Sequence, residues 1–261
     1  MTIDNIYFYL TDLFNQGKKR ALLSSGQAVG LSLASKDGDW IIKDDSESLS
    51  HILKVLESFK AKYRFGAPLD KRWLSHGWSS HFEFIYNDVR VRTDFVSKPP
   101  RISEEILKSL WVDGPPPYVI KPEQLIPLKL TGREKDYPIA TALSMLIKDP
   151  LQILICSRDP VQLREAIIQY PELLDKAILS RQGLATIAKT IAIEEEMILE
   201  LFKEQRILMK EDRERMLRYQ KATEELSKNW LDISKKLDAL ELKKAHEYFI
   251  EKALTCFPAV I

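Results

Sequence analysis

The sequence predicts an α/β (α+β) protein, a mixed sheet with flanking helices followed by an all-helical C-terminal part. Three observations carry this. His81 to Val96 alternates apolar and polar residues on both sides of Asn87-Asp88, the mark of a β-hairpin. Short apolar pieces and helical periods interleave before it. From Leu184 to Phe257 there is no glycine or proline and charges of both signs mix, as in long helices. The expected division is 1–148 for the sheet domain and 149–261 for a helical domain with a long hairpin or coiled coil.

The chain has 261 residues, 45% hydrophobic and 30% charged, with a net charge of +1. This is the composition of a soluble globular protein with a full core. It excludes a global basic surplus of the kind that coats nucleic acid, though not a local patch. Cys156 and Cys256 lie in apolar surroundings without metal-like spacing, so both read as buried free thiols in a reducing compartment. Asp4 and Asn5 interrupt the apolar start, and no apolar run is long enough to span a bilayer. No membrane association and a cytoplasmic location are expected.

Ile3 to Phe14 carries apolar residues at helical spacing and ends before Gly17. Ala21-Leu22-Leu23 is a short apolar piece leading into a small-residue turn at Ser25-Gly26. Gln27 to Ala34 reads as helix and Gly38 to Lys43 as strand. Ser46-Glu47-Ser48 opens a helix expected to run to about Tyr63, with Leu49, Ile52, Leu53, Leu56 and Phe59 on its apolar face. Phe65 to Ser80 reads as an irregular loop. Its Trp73 and Trp78 either stack a nucleobase or seal the domain edge. In the hairpin, Arg90, Arg92, Asp94 and Val96 share one strand face, which makes Asp94 a carboxylate projecting from a strand. Its plain structural alternative is a salt bridge with Arg90 or Arg92.

Ser103 to Trp111 is a short helix, and Asp113 to Pro117 a proline-stiffened loop. A helix is expected from Pro122, and a second from near Arg133 past Leu146. Beyond Asp149 only helices follow, opened or separated at Asp159-Pro160, Tyr170-Pro171 and Ser180 to Gly183. Leu226, Trp230, Ile233, Leu237 and Leu240 keep a 4-3-4-3 rhythm. A hairpin breaking between Met216 and Asn229 is expected, with the seam open to a second copy or another partner.

Chemistry concentrates at Asp37-Gly38-Asp39. Residues two apart on an extended chain point the same way, so both carboxylates present hard oxygen ligands on one strand face. A turn such as Ser25-Gly26 ahead of a helix lets backbone N–H groups approach phosphate. An EF-hand is excluded, since Ile41 and Ile42 stand where a third ligand and a glycine are needed. No zinc spacing, Walker loop or G-x-S-x-G motif occurs.

The run from Ser25-Gly26 to Asp37-x-Asp39 resembles the first motif of the nucleotidyltransferase (DNA polymerase β-like) superfamily, in particular the prokaryotic minimal and abortive-infection-type members. A third carboxylate is expected there on a neighbouring strand, and Asp94 fits. Pro122-Glu123-x-Leu125-Ile126, then Lys129, then Arg133-x-Lys135-Asp136 resembles a further conserved pattern of those proteins. The chain departs from the pattern at Ser25, Leu33 and Gly38, which stand for a glycine, an arginine and an apolar residue, while Ser35-Lys36 agrees with it.

The resemblance implies a metal-dependent nucleotidyltransferase. Asp37, Asp39 and Asp94 would hold Mg²⁺ (or Mn²⁺), and with Lys129 they form the catalytic set. Ser25, Gly26, Ser35, Lys36, Arg133, Lys135 and Asp136 would bind the nucleotide. The donor would be an NTP and the acceptor a hydroxyl of RNA, protein or a small molecule, as in toxins of toxin–antitoxin pairs. A homo-oligomer or an antitoxin-like partner on the C-terminal helices belongs to this reading. The alternative is a non-catalytic module of the same fold that binds nucleotides or partners.

Overall fold

The computed structural model describes residues 3–24, 37–112 and 114–260. The chain divides into two compact units, Met1–Ile120 with Arg218–Ile261, and Lys121–Leu217. This grouping differs from the expected boundary after Lys148, because the last helices pack in the same core as the sheet.

The first unit begins with α1 (Ile3–Phe14), β1 (Ala21–Leu23), β2 (Gly38–Ile42) and α2 (Ser46–Ser58). Then come β3 (Lys62–Tyr63), α3 (Lys71–Leu74), β4 (Ser79–Tyr86), β5 (Val89–Val96) and α4 (Glu104–Ser109). The five strands form one mixed sheet in the order β1-β2-β5-β4-β3. Only β2 and β5 run parallel; the other neighbours are antiparallel. Asn87 and Asp88 have φ of 48° and 60°, the left-handed pair that a two-residue hairpin turn requires.

The helix expected to reach Tyr63 stops at Ser58. Its N-cap is Asp45, which accepts from the Ser48 N–H at 2.8 Å. At the other end Lys60 takes φ 53°, and the chain turns so that Lys62 and Tyr63 pair with Glu83 and Phe82. The loop expected over Phe65 to Ser80 likewise contains α3 and the first two residues of β4.

One sheet face is apolar. Trp40, Phe82, Val91 and Phe95 are buried there, with Trp40 stacked on Phe95 at 5.4 Å. Tyr7 and Phe14 of α1 meet Trp40 edge-on at 6.0 and 5.4 Å. Leu49, Ile52 and Leu56 of α2 complete that layer.

The second unit is helical. It contains α5 (Pro122–Lys129), a 3-10 turn at Glu134–Asp136, α6 (Tyr137–Ser144), α7 (Pro150–Cys156) and α8 (Pro160–Gln169). After these come α9 (Leu174–Ser180), α10 (Leu184–Lys189) and α11 (Glu194–Ala222), whose last residues, from Arg218, belong to the first unit. The helix expected to pass Leu146 ends at Ser144. Asp149 and Asp159 cap α7 and α8, accepting from Gln152 and Gln162 N–H at 2.9 and 2.7 Å. Leu154, Leu163, Ile167, Leu184, Ile187 and Met197 form this unit's own core.

The end of the chain returns to the first unit as α12 (Glu224–Asp238) and α13 (Leu242–Cys256). The break expected between Met216 and Asn229 lies at Thr223. Of the heptad seam, Leu226, Ile233 and Leu237 are buried in the sheet core, and Trp230 packs on Phe249 at 5.7 Å. The seam is therefore filled from within the chain. Leu240 is the exposed exception. Among the described residues no helix is long and apolar enough to cross a membrane.

Candidate functional site

The polar face of the sheet carries the carboxylates. Gly38 pairs with Thr93 and Asp39 with Asp94 across the parallel β2–β5 ladder. Paired residues project to the same face, so Asp39 and Asp94 stand side by side, with Asp37 two residues before Asp39. Asp37 Oδ1 lies 3.9 Å from the Arg92 guanidinium. Asp94 does not pair with Arg90 or Arg92. Arg90 bonds Glu83 at 2.5 Å instead. The partners of Asp94 come from β4 and from the turn after β3: His81 Nδ1 is 2.7 Å from Asp94 Oδ1, and Arg64 Nη1 is 3.5 Å from it.

His81 sits directly across the antiparallel ladder from Asp94. Its other ring nitrogen, Nε2, is 2.9 Å from Ser79 Oγ, which lies 3.4 Å from the Tyr219 hydroxyl in the last turns of α11. The two partners select the tautomer: Nδ1–H donates to the carboxylate, and Nε2 accepts from the serine hydroxyl. Carboxylate, imidazole and hydroxyl follow one another as in acyl-transfer triads, here with a tyrosine as fourth member. A Cβ on Gly66 would sit 2.4 Å from His81 Cδ2, so the missing side chain lets the loop close against the ring.

Tyr7 reports on the carboxylates from below. Its ring passes under Gly38, where a Cβ would meet Tyr7 Cδ1 and Trp40 Cη2 each at 2.5 Å. The space a side chain at position 38 would need is thus taken by two aromatic rings. Burial first, then the charges of Asp37, Asp39 and Asp94, raise the Tyr7 phenol to about 12 against a hydrogen bond from the Arg92 backbone. All three carboxylates therefore act on one hydroxyl.

The donor types suit Mg²⁺ or Mn²⁺, both of which take hard oxygen ligands. The arrangement is less complete, since among the described residues no group of three or more His, Cys, Asp or Glu is placed to hold a metal ion. Arg92 faces Asp37, while His81 and Arg64 hold Asp94.

The remaining expected site residues divide in two. Ser25, Gly26, Ser35 and Lys36 lie outside the described residues, as do Leu33 and the helix expected over Gln27 to Ala34. Lys129, Arg133, Lys135 and Asp136 belong to the second unit. There Asp136 is buried, accepting from Arg133 Nε at 2.7 Å and from Thr131 Oγ1 at 2.5 Å. Asp136 therefore holds the arginine in place. Lys129 is half-buried at the end of α5, and Lys135 is exposed.

Trp73 and Trp78 are not base-stacking platforms. They are 1% and 0% exposed, and their indole N–H groups donate to the carbonyls of Phe257 and Ala259. The residues that the sequence did not bring to this site are Tyr7, Arg64, Ser79 and Tyr219. His81 was legible: six pairs out from the Asn87-Asp88 turn, hairpin register places it opposite Asp94. Comparison with known proteins gives this chain no family, since no family model, curated protein or solved structure matches it.

Proposed function

We propose that the protein is a cytoplasmic, metal-dependent nucleotidyltransferase of the DNA polymerase β-like superfamily. The observation that carries this reading is the in-register pair Asp39 and Asp94 on parallel strands, with Asp37 just ahead of β2 and 3.9 Å from Arg92. In this reading the three carboxylates would hold Mg²⁺, which when bound supplies charge neutralisation on the transferring phosphoryl group. Asp94 would accept the proton of an acceptor hydroxyl. His81 is hydrogen-bonded to it and anchored by Ser79, so it would keep that carboxylate oriented and share its proton. Arg64 and Arg92 would hold the carboxylates in place against mutual repulsion until the donor arrives. The resemblance gives Lys129 a part in charge stabilisation. The acceptor would be RNA, protein or a small molecule, and an antitoxin-like partner or a second copy remains part of the proposal.

The test is transfer of label from NTPs to a mixed RNA and protein pool with Mg²⁺. A metal ligand contributes several kcal/mol in the transition state, so Asp39→Ala should lower transfer by roughly a thousandfold. Lys129→Ala should lower it less. A specific observation favours a second reading, the non-catalytic module: Arg92, Arg64 and His81 already engage Asp37 and Asp94. Nucleotide binding without transfer across a wide acceptor panel would select that reading.

A further inference from the structure

The second unit contains a cavity of about 450 Å³ between the start of α6, the start of α8 and α11. Its walls are mostly apolar, formed by Tyr137, Pro138, Ile198, Leu201 and Phe202, and Arg158 lines it. This is the size range of small-molecule sites, and one charged group in an apolar wall is their usual composition.

Arg158 is under-compensated. It shares the carboxylate of Glu204 with Arg181. Arg181 takes most of that carboxylate, through Nε at 2.9 Å and Nη2 at 2.7 Å, and spends Nη1 on the carbonyls of Leu154 and Ser157 at 3.1 and 2.8 Å. Arg158 makes its ion pair to Glu204 through Nη1, while its buried Nε has no hydrogen-bond partner among the described residues. Two guanidinium groups against one carboxylate leave a surplus positive charge in a largely water-excluded place. Burial, then the charge of Arg181, pulls Arg158 down to about 10 even though Glu204 opposes this. Among the described lining residues the only acid is Glu134, which is exposed at the rim.

We infer that this cavity binds a small amphiphilic anion, its carboxylate head on Arg158 and its apolar body against Ile198, Leu201 and Phe202. The head supplies the negative charge that the Arg158–Glu204–Arg181 cluster lacks. The body covers Phe202, which is 57% exposed. The inference concerns the second unit alone and stands whether or not the carboxylate face of the sheet transfers nucleotides.

The experiment uses the full chain with octanoate as probe and octanol and octylamine as controls, read by calorimetry and by thermal unfolding. Octanoate should bind and raise the unfolding temperature with concentration, while the two controls should not. Arg158→Leu should weaken octanoate at least about tenfold, the loss of a charge-assisted contact. If that variant does not fold, Phe202→Asp decides, because its exposed position tolerates the change and a carboxylate there repels the probe. No binding by the wild type, equal binding of octanol, or unchanged affinity in Phe202→Asp would each overturn the inference.

Discussion

The phenol of Tyr7 offers a measurement of the candidate site that needs no substrate. An isolated tyrosine ionises near ~10, and in this fold Tyr7 is held up to about 12. That difference corresponds to about 2.7 kcal/mol. Between those pH values the unfolded chain sheds a proton that the folded one keeps. Stability is therefore fully present below pH ~10 and falls as pH rises through the folded value, by that amount for this group. Burial is the largest cause, and the carboxylates follow in the order Asp37, Asp39, Asp94. Asp37→Asn should thus lower the Tyr7 value most among the three single variants, and the triple Asn variant should leave only burial and the opposing Arg92 hydrogen bond. Ring-carbon NMR with ¹³C-labelled tyrosine reads each phenol, Tyr7→Phe assigns the signal, and circular dichroism confirms folding at each pH. A Tyr7 that ionises near ~10, or at an unchanged pH in all three variants, would refute the claim that the carboxylates converge on it.

Gly66→Ala should push the His81 ring away from Asp94, because the new Cβ would meet it at 2.4 Å. A cost of about 1–3 kcal/mol in chemical denaturation and altered imidazole NMR shifts are expected; an unshifted imidazole spectrum would count against the contact. Ile233→Glu places a charge at a core position and should cost more than about 3 kcal/mol, seen as lost cooperative unfolding of the sheet unit. A folded variant that changes only its sedimentation would return the seam to a role in association. A fluorophosphonate probe should leave Ser79 unlabelled, since its hydroxyl orients His81. Stoichiometric labelling abolished by His81→Ala would make the site an acyl-transfer centre instead.

Local patterns in the sequence carried far in the hairpin. Alternation at Phe82, Phe84, Val91, Thr93 and Phe95 gave both strands, and Asn87-Asp88 gave the turn. Asp39 and Asp94 were paired through the resemblance, because register between strands far apart in sequence has no local signal. The end of α2 was missed for a physical reason: Phe59-Lys60-Ala61 contains neither glycine nor proline, and a lysine takes the left-handed turn. The tryptophans looked available for stacking because the residues that cover them, Tyr219, Phe257 and Ala259, lie far along the chain. The same distance hid the use of Leu226, Ile233 and Leu237. A heptad rhythm states that a helix has an apolar seam but not whose side chains fill it.

The sheet core that presents the carboxylates is closed by α12 and α13, with Phe249 against Tyr63 at 5.0 Å and Phe257 against Trp78 at 4.2 Å. Residues 121–217 separate those helices from the strands they cover. During synthesis the strands therefore leave the ribosome on the order of ten seconds before their cover, at ~5–20 residues per second. In that interval Trp73, Trp78 and Tyr63 lack the side chains that bury them. The nascent sheet is then a natural client for a chaperone, and its exposed β3 edge is a place where two nascent chains could pair. A stop codon anywhere between Lys121 and Glu224 would leave the three aspartates translated but their sheet uncovered. Loss of the last helices should therefore act on the site as surely as loss of Asp39.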